Sequence, residues 1–377
     1  MEESDQEKFL LSQASYAAEG LSKSLGSQAL RPPAYQPDTY YRDLTKSDYF
    51  DALIMVRHYL KAASDAYFSA MGAYNIDLFM FTPSISSPMG PGSDSEAVPI
   101  KFGELHTYLV DSSQFGFEPL LFRNFDKFYC YLPSMRGENP DARHLNQFFH
   151  CEAEIVGRLE DLYPVMEGYI KALARMMRAL KPLVSRMSMV TEITNQVLDA
   201  LVDATVFKNI SFDEAYKTLA GLEGAVSYVT KDGHGRNITA EGEKHIAFLQ
   251  DTKLPLWISN YDRDMVPFYQ KPNPSNPNQA VNADLIFPSL TAGGFGGEIM
   301  GSGQRQNIPE EMEESLARQN VSQEPYAWYI DLRRQSGYRT TSGFGLGIER
   351  FIAWALGYSN IRDVILYPRL KNVQTLP

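Results

Sequence analysis

Cysteine is scarce: only Cys130 and Cys151 occur in 377 residues. They form no Cys-x-x-Cys pair, and no histidine stands at zinc-like spacing from them. That excludes a disulfide framework and a Cys/His zinc site, and two free thiols suit a reducing cytosol. Long apolar runs are absent as well. No stretch approaches the roughly 20 residues that cross a bilayer, so no membrane span is expected. The opening Met1-Glu2-Glu3-Ser4-Asp5 is acidic and precedes no apolar run. Neither a secretory nor an organellar leader is expected, and the chain reads as cytoplasmic. Basic runs are missing too. The net charge of −11 argues against a surface that grips nucleic acid through many phosphates. No internal repeat is found.

What is present is enough apolar sequence for a large core. Of the residues, 44% are hydrophobic and 21% charged, which fits one big domain or a domain with an insertion. Residues 1–45 read as an N-terminal arm, a short helix followed by an extended Pro/Tyr-rich stretch. Leu53, Val56, Leu60, Ala63 and Tyr67 recur at three- and four-residue steps, predicting an amphipathic helix over 51–74 that leads to Pro83. A Ser/Pro/Gly loop covers 86–95. Strands are expected at 97–101, 106–111, 127–134 and 148–157, then helices at 161–181 and 186–203. A mixed subdomain runs to about 250. Further strands are expected at 255–259, 281–287, 325–333 and 341–346, around a Gly-rich stretch at 293–303. A last helix, 348–357, is closed by Gly357. The order predicts an α+β fold, an antiparallel sheet flanked by helices, with residues 46–377 as one domain and a helical insertion at about 160–255.

Three segments carry chemistry. The first is the turn-rich loop Met135-Arg136-Gly137-Glu138-Asn139-Pro140-Asp141-Ala142-Arg143-His144 and the strand after it. Two arginines and a histidine in such a loop suit a polyanionic phosphate. On the strand, Phe148, His150, Glu152 and Glu154 share one face, while Phe149, Cys151, Ala153 and Ile155 share the other. A buried polar face would suit stacking plus polar recognition. A half-exposed strand with solvated acids would give the same pattern. The second segment, Ser342-Gly343-Phe344-Gly345-Leu346-Gly347-Ile348-Glu349-Arg350, runs alternating glycines into a helix. Gly345 and Gly347 let a ligand approach the backbone, and Arg350 in the first turn can reach a base or a phosphate. The third pairs Asp284 with the stretch from Gly293 to Arg305. Asp284 and Glu298 are candidate oxygen ligands for Mg²⁺, and Arg305 offers a planar fork to a carboxylate or amide. A strand, a flexible loop and a surface arginine would read alike.

Taken in order, these segments resemble the three motifs of class II aminoacyl-tRNA synthetases, at residues 51–83, 130–157 and 341–357. The likeness is closest to asparaginyl-tRNA synthetases of the asparaginyl/aspartyl group. Arg136-Gly-Glu-Asn, Arg143-His-Leu, Gly297-Glu-Ile, Gln304-Arg, Trp328-Tyr-Ile-Asp-Leu-Arg-Arg and Asn360-Ile-Arg-Asp-Val all look like that family's stretches. It covers roughly residues 50–370.

The resemblance implies ATP and Mg²⁺ as cofactors and a role for each site residue. Arg136 would hold the α-phosphate and the acyl carboxylate. Glu138 would accept from the adenine amino group, with Phe148 and Arg350 stacked on its two faces. Arg143 and His144 would reach the outer phosphates, and Gly347 would let the nucleotide approach. Asp284 and Glu298 would hold Mg²⁺. Ser112, Gln114, Glu152, Arg305 and Gly345 would form the amino-acid pocket. Glu152 matches the asparaginyl form, and Phe117 stands where aspartyl enzymes use lysine; both favour a substrate amide over an acid. The family's Glu-Gly-Ala segment, whose Glu binds the substrate ammonium, is replaced by Pro91-Gly-Ser-Asp-Ser-Glu-Ala, leaving Asp94 or Glu96 as substitutes.

The resemblance also implies an anticodon-binding OB-fold of about 100 residues ahead of the first helix. Only about 45 residues stand there, and they do not read as five strands. The leading expectation is therefore an AMP-forming ligase that activates asparagine, aspartate or an analogue and transfers the acyl group to ammonia or another small nucleophile. Weak tRNA binding follows from that reading. A tRNA ligase of reduced architecture and a non-catalytic regulatory paralogue are the alternatives. The second of these has no physical reason to keep both magnesium carboxylates and every phosphate-binding arginine. A homodimer is expected, because the stripe on helix 51–74 is longer than one small core requires.

Overall fold

Period-two alternation over 127–135 and 147–156 produces two long neighbouring strands, second and third from one edge of the main sheet. The fold is described from a computed structural model covering residues 4–87, 95–250 and 254–376. The sheet has eight strands, labelled here in chain order: β1 Tyr74–Asn75, β2 Lys127–Met135, β3 Gln147–Val156, β4 Lys208–Ser211, β5 Leu256–Ser259, β6 Asn282–Phe287, β7 Gly297–Gln304 and β8 Thr341–Gly347. Their spatial order is β1-β2-β3-β8-β7-β6-β5-β4. The six central strands are antiparallel, and one parallel pair closes each edge. This is the expected α+β architecture.

One face of the sheet is covered by helices. Asp48–Ala70 buries Leu53, Val56, Leu60, Ala63 and Tyr67, and Leu159–Ala179 and Ile348–Leu356 join the same core. The last of these ends at Gly357 with φ 72°, a left-handed cap that favours glycine. The stripe on Asp48–Ala70 is covered within the chain, so it carries no argument for a partner. Residues 208–249 build a second, smaller core around Phe212, Ala215, Leu219 and Ile246.

Several elements differ from expectation. The first helix is not short: Asp5–Ser24 runs for 20 residues, capped by Ser4 Oγ accepting from Glu7 N–H at 3.1 Å. It buries Ala14 and Ala18 in the main core, and Arg175 pairs with Glu7 at 2.7 Å. The helix expected at 186–203 is two, Lys181–Met187 and Thr191–Asp203. Ser188 breaks it: its hydroxyl accepts from Val190 N–H at 2.9 Å and bonds Thr194 Oγ1. The segment expected as a strand at 325–333 is a 3₁₀ turn and the helix Ala327–Arg334. Its composition is β-prone, but the buried residues Tyr326, Tyr329, Ile330 and Arg333 recur at helical steps. The Gly-rich stretch continues as strand β7.

Candidate active site

Strand β3 settles the ambiguity of its two faces. Glu152 is 5% exposed and Glu154 0%, so these are not solvated acids. Both lie on the open face of the sheet, opposite Cys151, Ala153 and Ile155 in the main core.

The floor of that face is made of glycine. Register pairs Gly301 with Gly345 and Gly303 with Gly343 across β7 and β8. Four adjoining positions therefore carry no side chain, and a polar group occupies the space over each. A Cβ at Gly301 would lie 3.1 Å from Glu298 Oε1 and 3.4 Å from Asp284 Oδ1. One at Gly345 would lie 3.4 Å from Glu152 Oε1, and one at Gly303 2.9 Å from the Gln270 carboxamide carbon. One at Gly343 would overlap the Glu154 and Arg305 side chains. Close approach to the backbone is thus what these glycines provide.

Two adjoining cavities rest on this floor. The first is lined by Arg136, Glu138, Arg143, His144, Phe148, His150, Glu298, Gly345, Gly347 and Arg350 among others. Three guanidinium groups converge there. Arg136 rests over the Phe148 ring at 5.3 Å, and its buried Nε has no partner. Arg350 donates to the Glu298 carboxylate at 3.0 Å. Arg143 lies over Phe295 at 4.8 Å and donates to the Gly296 carbonyl. Burial and the Arg350 charge push the Arg143 pKa down, although Arg143 pairs with Glu243 at 3.5 Å. Glu349, beside Arg350, ties the helix to β3: its carboxylate accepts from Phe149 N–H at 2.9 Å and pairs with Arg57 at 2.7 Å. Glu138 accepts from Glu96 N–H at 3.2 Å, and His144 sits 2.9 Å from Asp141.

The second cavity holds Ser112, Gln114, Glu152, Asp284, Glu298, Arg305 and Gly345, together with Arg136 and His150. The residues expected to bind the nucleotide, the magnesium and the substrate side chain therefore line one cavity or the other. Arg136, His150, Glu298 and Gly345 line both. Glu152 accepts from Ser112 Oγ at 2.5 Å and Ser113 N–H at 2.7 Å, while burial pushes its carboxyl pKa up against those bonds.

Burial, then the charges of Glu298 and Glu243, push Asp284 well above the carboxylate range. Glu298 is held below its ordinary value, because Arg350 and Arg143 outweigh its burial. A divalent cation fits between Asp284 and Glu298: it would relieve the repulsion, and their oxygens already share the hollow over Gly301. No cluster of three or more metal-binding side chains occurs among the described residues. Phosphate oxygens and water would complete the shell, as is usual for Mg²⁺.

Three expectations need correcting. Arg305 does not present a whole fork. Its Nε and Nη2 donate to Glu154 at 3.0 and 2.8 Å, and Nη2 also reaches Gln114. Only Nη1 makes no hydrogen bond among the described residues. Phe117 is 1% exposed and packs with Leu121, Phe128 and Cys130 in a core cluster, away from both cavities. Glu96 does not serve the amino-acid pocket: its carboxylate pairs with Lys371 at 3.0 Å. Asp94 lies outside the described residues.

Sequence reasoning missed His150, Glu243, Glu154 and Gln270 as site groups. His150 bonds Ser134 at 3.0 Å, and burial with Arg136 and Arg350 lowers its pKa well below the ordinary value. Glu243 accepts from Glu298 N–H at 2.9 Å. His150 shared a strand face with Phe148 and Glu152, which was the available signal. Glu243 lies in a helix about 55 residues before its partner, and no local pattern marks it.

A glycine-floored antiparallel sheet, with an arginine cleft meeting a polar pocket, is an arrangement suited to a class II adenylate-forming ligase. The comparisons agree. The family model for class II tRNA synthetases (D, K and N) matches residues 34–371. The chain is 31% identical over 321 residues to the asparagine–tRNA ligase of Roseiflexus sp. (strain RS-1), covering 85% of this chain and 69% of that protein. The asparaginyl-tRNA synthetase of Pyrococcus horikoshii, solved with asparaginyl-adenylate, superposes with a TM-score of 0.77 at 25% identity, over 91% of this chain and 74% of that one. The Entamoeba histolytica asparaginyl-tRNA synthetase shares the fold, with a TM-score of 0.73 at 22% identity over 90% of this chain and 72% of its own. The chain belongs to the class II tRNA synthetases of the D, K and N group. Within that group it is an asparaginyl-tRNA synthetase homologue, an ATP-dependent, AMP-forming amino-acid-activating ligase. No described helix is long and apolar enough to cross a membrane.

Proposed function

We propose that the protein activates asparagine with ATP and passes the asparaginyl group to a small nucleophile, ammonia or an amine, in place of tRNA. The observation that carries the first half is the meeting of the two cavities at Arg136, His150, Glu298 and Gly345. A polyanion in the arginine cleft and an amino acid in the polar pocket touch there and nowhere else.

In this reading adenine enters between Phe148 and Arg350, and Glu138 accepts from its amino group. Displacing Arg136 from the Phe148 ring frees the guanidinium for the α-phosphate. Arg143 and His144 take the outer phosphates. The substrate carboxylate oxygen attacks the α-phosphorus, the bond to the bridging oxygen breaks, and pyrophosphate leaves. Arg136 stabilises the equatorial oxygens as charge gathers on them. Mg²⁺ held by Asp284 and Glu298 would neutralise pyrophosphate as it leaves. No nucleophilic side chain is required.

Glu152 sets the substrate. Buried, and anchored by Ser112 and Ser113, it accepts from an amide NH₂ and repels a carboxylate unless a proton is taken up. Asparagine should be activated better than aspartate by at least about tenfold, a discrimination of about 1.4 kcal/mol. Glu152→Gln should narrow or reverse that preference. Pyrophosphate exchange with each amino acid reads both, and faster exchange with aspartate in the unmodified enzyme would sink this assignment and favour asparagine synthesis from aspartate.

The acceptor reading rests on charge: a net charge of −11 offers little to hold the many phosphates of a tRNA. The tRNA-acceptor reading draws on the likeness to tRNA ligases over residues 34–371. AMP release from the charged enzyme, with ammonia, small amines or tRNA added in turn, separates the two. Tight, anticodon-dependent tRNA binding at physiological salt would overturn the small-nucleophile acceptor.

We also propose a homodimer, on grounds other than the helix stripe. Phe81 and Phe102 meet 5.1 Å apart while 44% and 58% exposed, and the exposed Tyr74 and Phe125 meet at 5.0 Å. A second copy covering such exposed aromatics would remove them from water. Light scattering should give twice the chain mass of 42.5 kDa, and Phe81→Asp with Phe102→Asp should give monomer. Monomer alone from the unmodified chain at micromolar concentration would refute it.

A further inference from the structure

Around the polar pocket several hydrogen-bonding groups are already engaged. Both Glu154 oxygens accept from Arg305. Gln114 gives its carbonyl to Arg305 and its amide to Glu118. Glu152 is anchored through both oxygens. Gln270 differs. It lines the same cavity, its carboxamide lies flat over Gly303, and its Oε1 is buried with no partner. No hydrogen bond to its Nε2 is made among the described residues either. A buried carbonyl without a donor is unfavourable, and native structures tolerate few of them.

The position of this group is informative. Gln270 and Arg305 form an isolated backbone bridge. Their side chains sit over Gly303 and Gly343, which face each other across β7 and β8. The junction with the nucleotide cleft lies two residues back along β7, at Gly301 and its partner Gly345. The Gln270 and Arg305 side chains thus stand over paired glycines at the end of the pocket away from the phosphates. That is the end an amino-acid side chain reaches when its carboxylate points at Arg136.

We propose that Gln270 is a specificity residue, its Oε1 accepting an N–H from the terminal carboxamide of the substrate while Arg305 Nη1 donates to that group's oxygen. A carboxamide has two N–H donors and one carbonyl. Glu152 takes one N–H, Gln270 takes the other, and Arg305 takes the oxygen, so all three are satisfied together. A carboxylate brings no donor and leaves Oε1 unpaired. This rests on asparagine activation by the same site and adds a third contact to it. Gln270→Leu removes both the acceptor and its unpaired burial. Gln270→Glu keeps an acceptor of the same length.

The test compares asparagine-dependent pyrophosphate exchange by the unmodified protein and the two variants, with Mg-ATP binding measured calorimetrically without amino acid. Gln270→Leu should raise KM for asparagine about tenfold, the worth of one good hydrogen bond to a ligand. Its ATP affinity should be unchanged and its Tm equal or higher. Gln270→Glu should keep KM for asparagine within about threefold of the unmodified value. A KM unmoved in Gln270→Leu would overturn the proposal, because no bond was lost. Equal damage in both variants would also overturn it, because the side chain would then be donating. If the unmodified protein supports no asparagine-dependent exchange, asparagine activation itself fails and this contact falls with it. Exchange that proceeds with KM unmoved removes this contact alone.

Discussion

Arg136→Ala is expected to lower asparagine-dependent pyrophosphate exchange by about two to three decades, or about 3–4 kcal/mol of transition-state stabilisation. Arg136 lines both cavities, so in the proposed reaction it would reach both reacting groups, the attacking carboxylate and the α-phosphate. Its fold contribution is small. The backbone N–H donates to the Asn146 carbonyl at 3.1 Å and survives the change. The side chain only rests over Phe148, and its Nε is unpartnered. Truncation therefore opens no core cavity and relieves one unpaired buried donor, so Tm should move by a degree or two at most. The loss should fall on kcat more than on KM for ATP, because charge on the equatorial oxygens grows in the transition state. Arg136→Lys should recover part of the rate, since it restores charge without the planar fork. Near-normal exchange by Arg136→Ala would remove this residue from the mechanism.

The asymmetry between what sequence revealed and what it hid has a physical basis. Strand β3 was legible because alternation is a local property, and its two faces were assigned before any partner was known. The helix Asp48–Ala70 was legible for the same reason at period 3.6. The segment 325–333 was misread because composition and spacing disagreed: Trp-Tyr-Ile favours a strand, while Tyr326, Tyr329, Ile330 and Arg333 recur as one helical face. The candidate residues inside the motifs line the two cavities. What sequence could not show is which of them are already spent. Arg305 read as a free fork, yet most of it is held by Glu154, a residue counted only as a strand acid. Gln270 carried no signal, because a carboxamide before Lys271-Pro272 fits any surface turn. Its significance is that no hydrogen bond to its side chain is made among the described residues, a property that exists only in three dimensions. The glycines of 293–303 read as a Gly-rich stretch, and those of 342–347 as a strand running into a helix. The register of β7 against β8 makes them one floor.

The largest change in stability is expected at Glu154. Its carboxylate and the Arg305 guanidinium are 0% and 5% exposed and meet at 2.8 Å. Removing one member of such a pair leaves the other buried without its counter-charge, which costs about 3–5 kcal/mol. Glu154→Leu should show the full loss, because a guanidinium cannot shed its proton at any relevant pH and only Gln114 remains to accept from it. Arg305→Met should behave differently. Burial already pushes the Glu154 carboxyl up, and Arg305 is the main group opposing that shift. Without Arg305 the folded-state pKa rises further above the unfolded value. A carboxyl with a raised folded pKa binds its proton more tightly when folded, so the penalty is greatest at high pH and shrinks as pH falls toward the unfolded value. Urea titrations at pH 8 and pH 5 should therefore show the Arg305→Met deficit contracting, while that of Glu154→Leu holds. The double variant Glu154→Leu/Arg305→Met places two apolar side chains where two charges met, and it should regain most of the lost stability. Its asparagine-dependent exchange should not return, because Arg305 Nη1 is gone from the pocket. A double variant as unstable as Glu154→Leu would show that packing, rather than the unpaired charge, dominates here. One that is both stable and active would show that Arg305 does not touch the substrate.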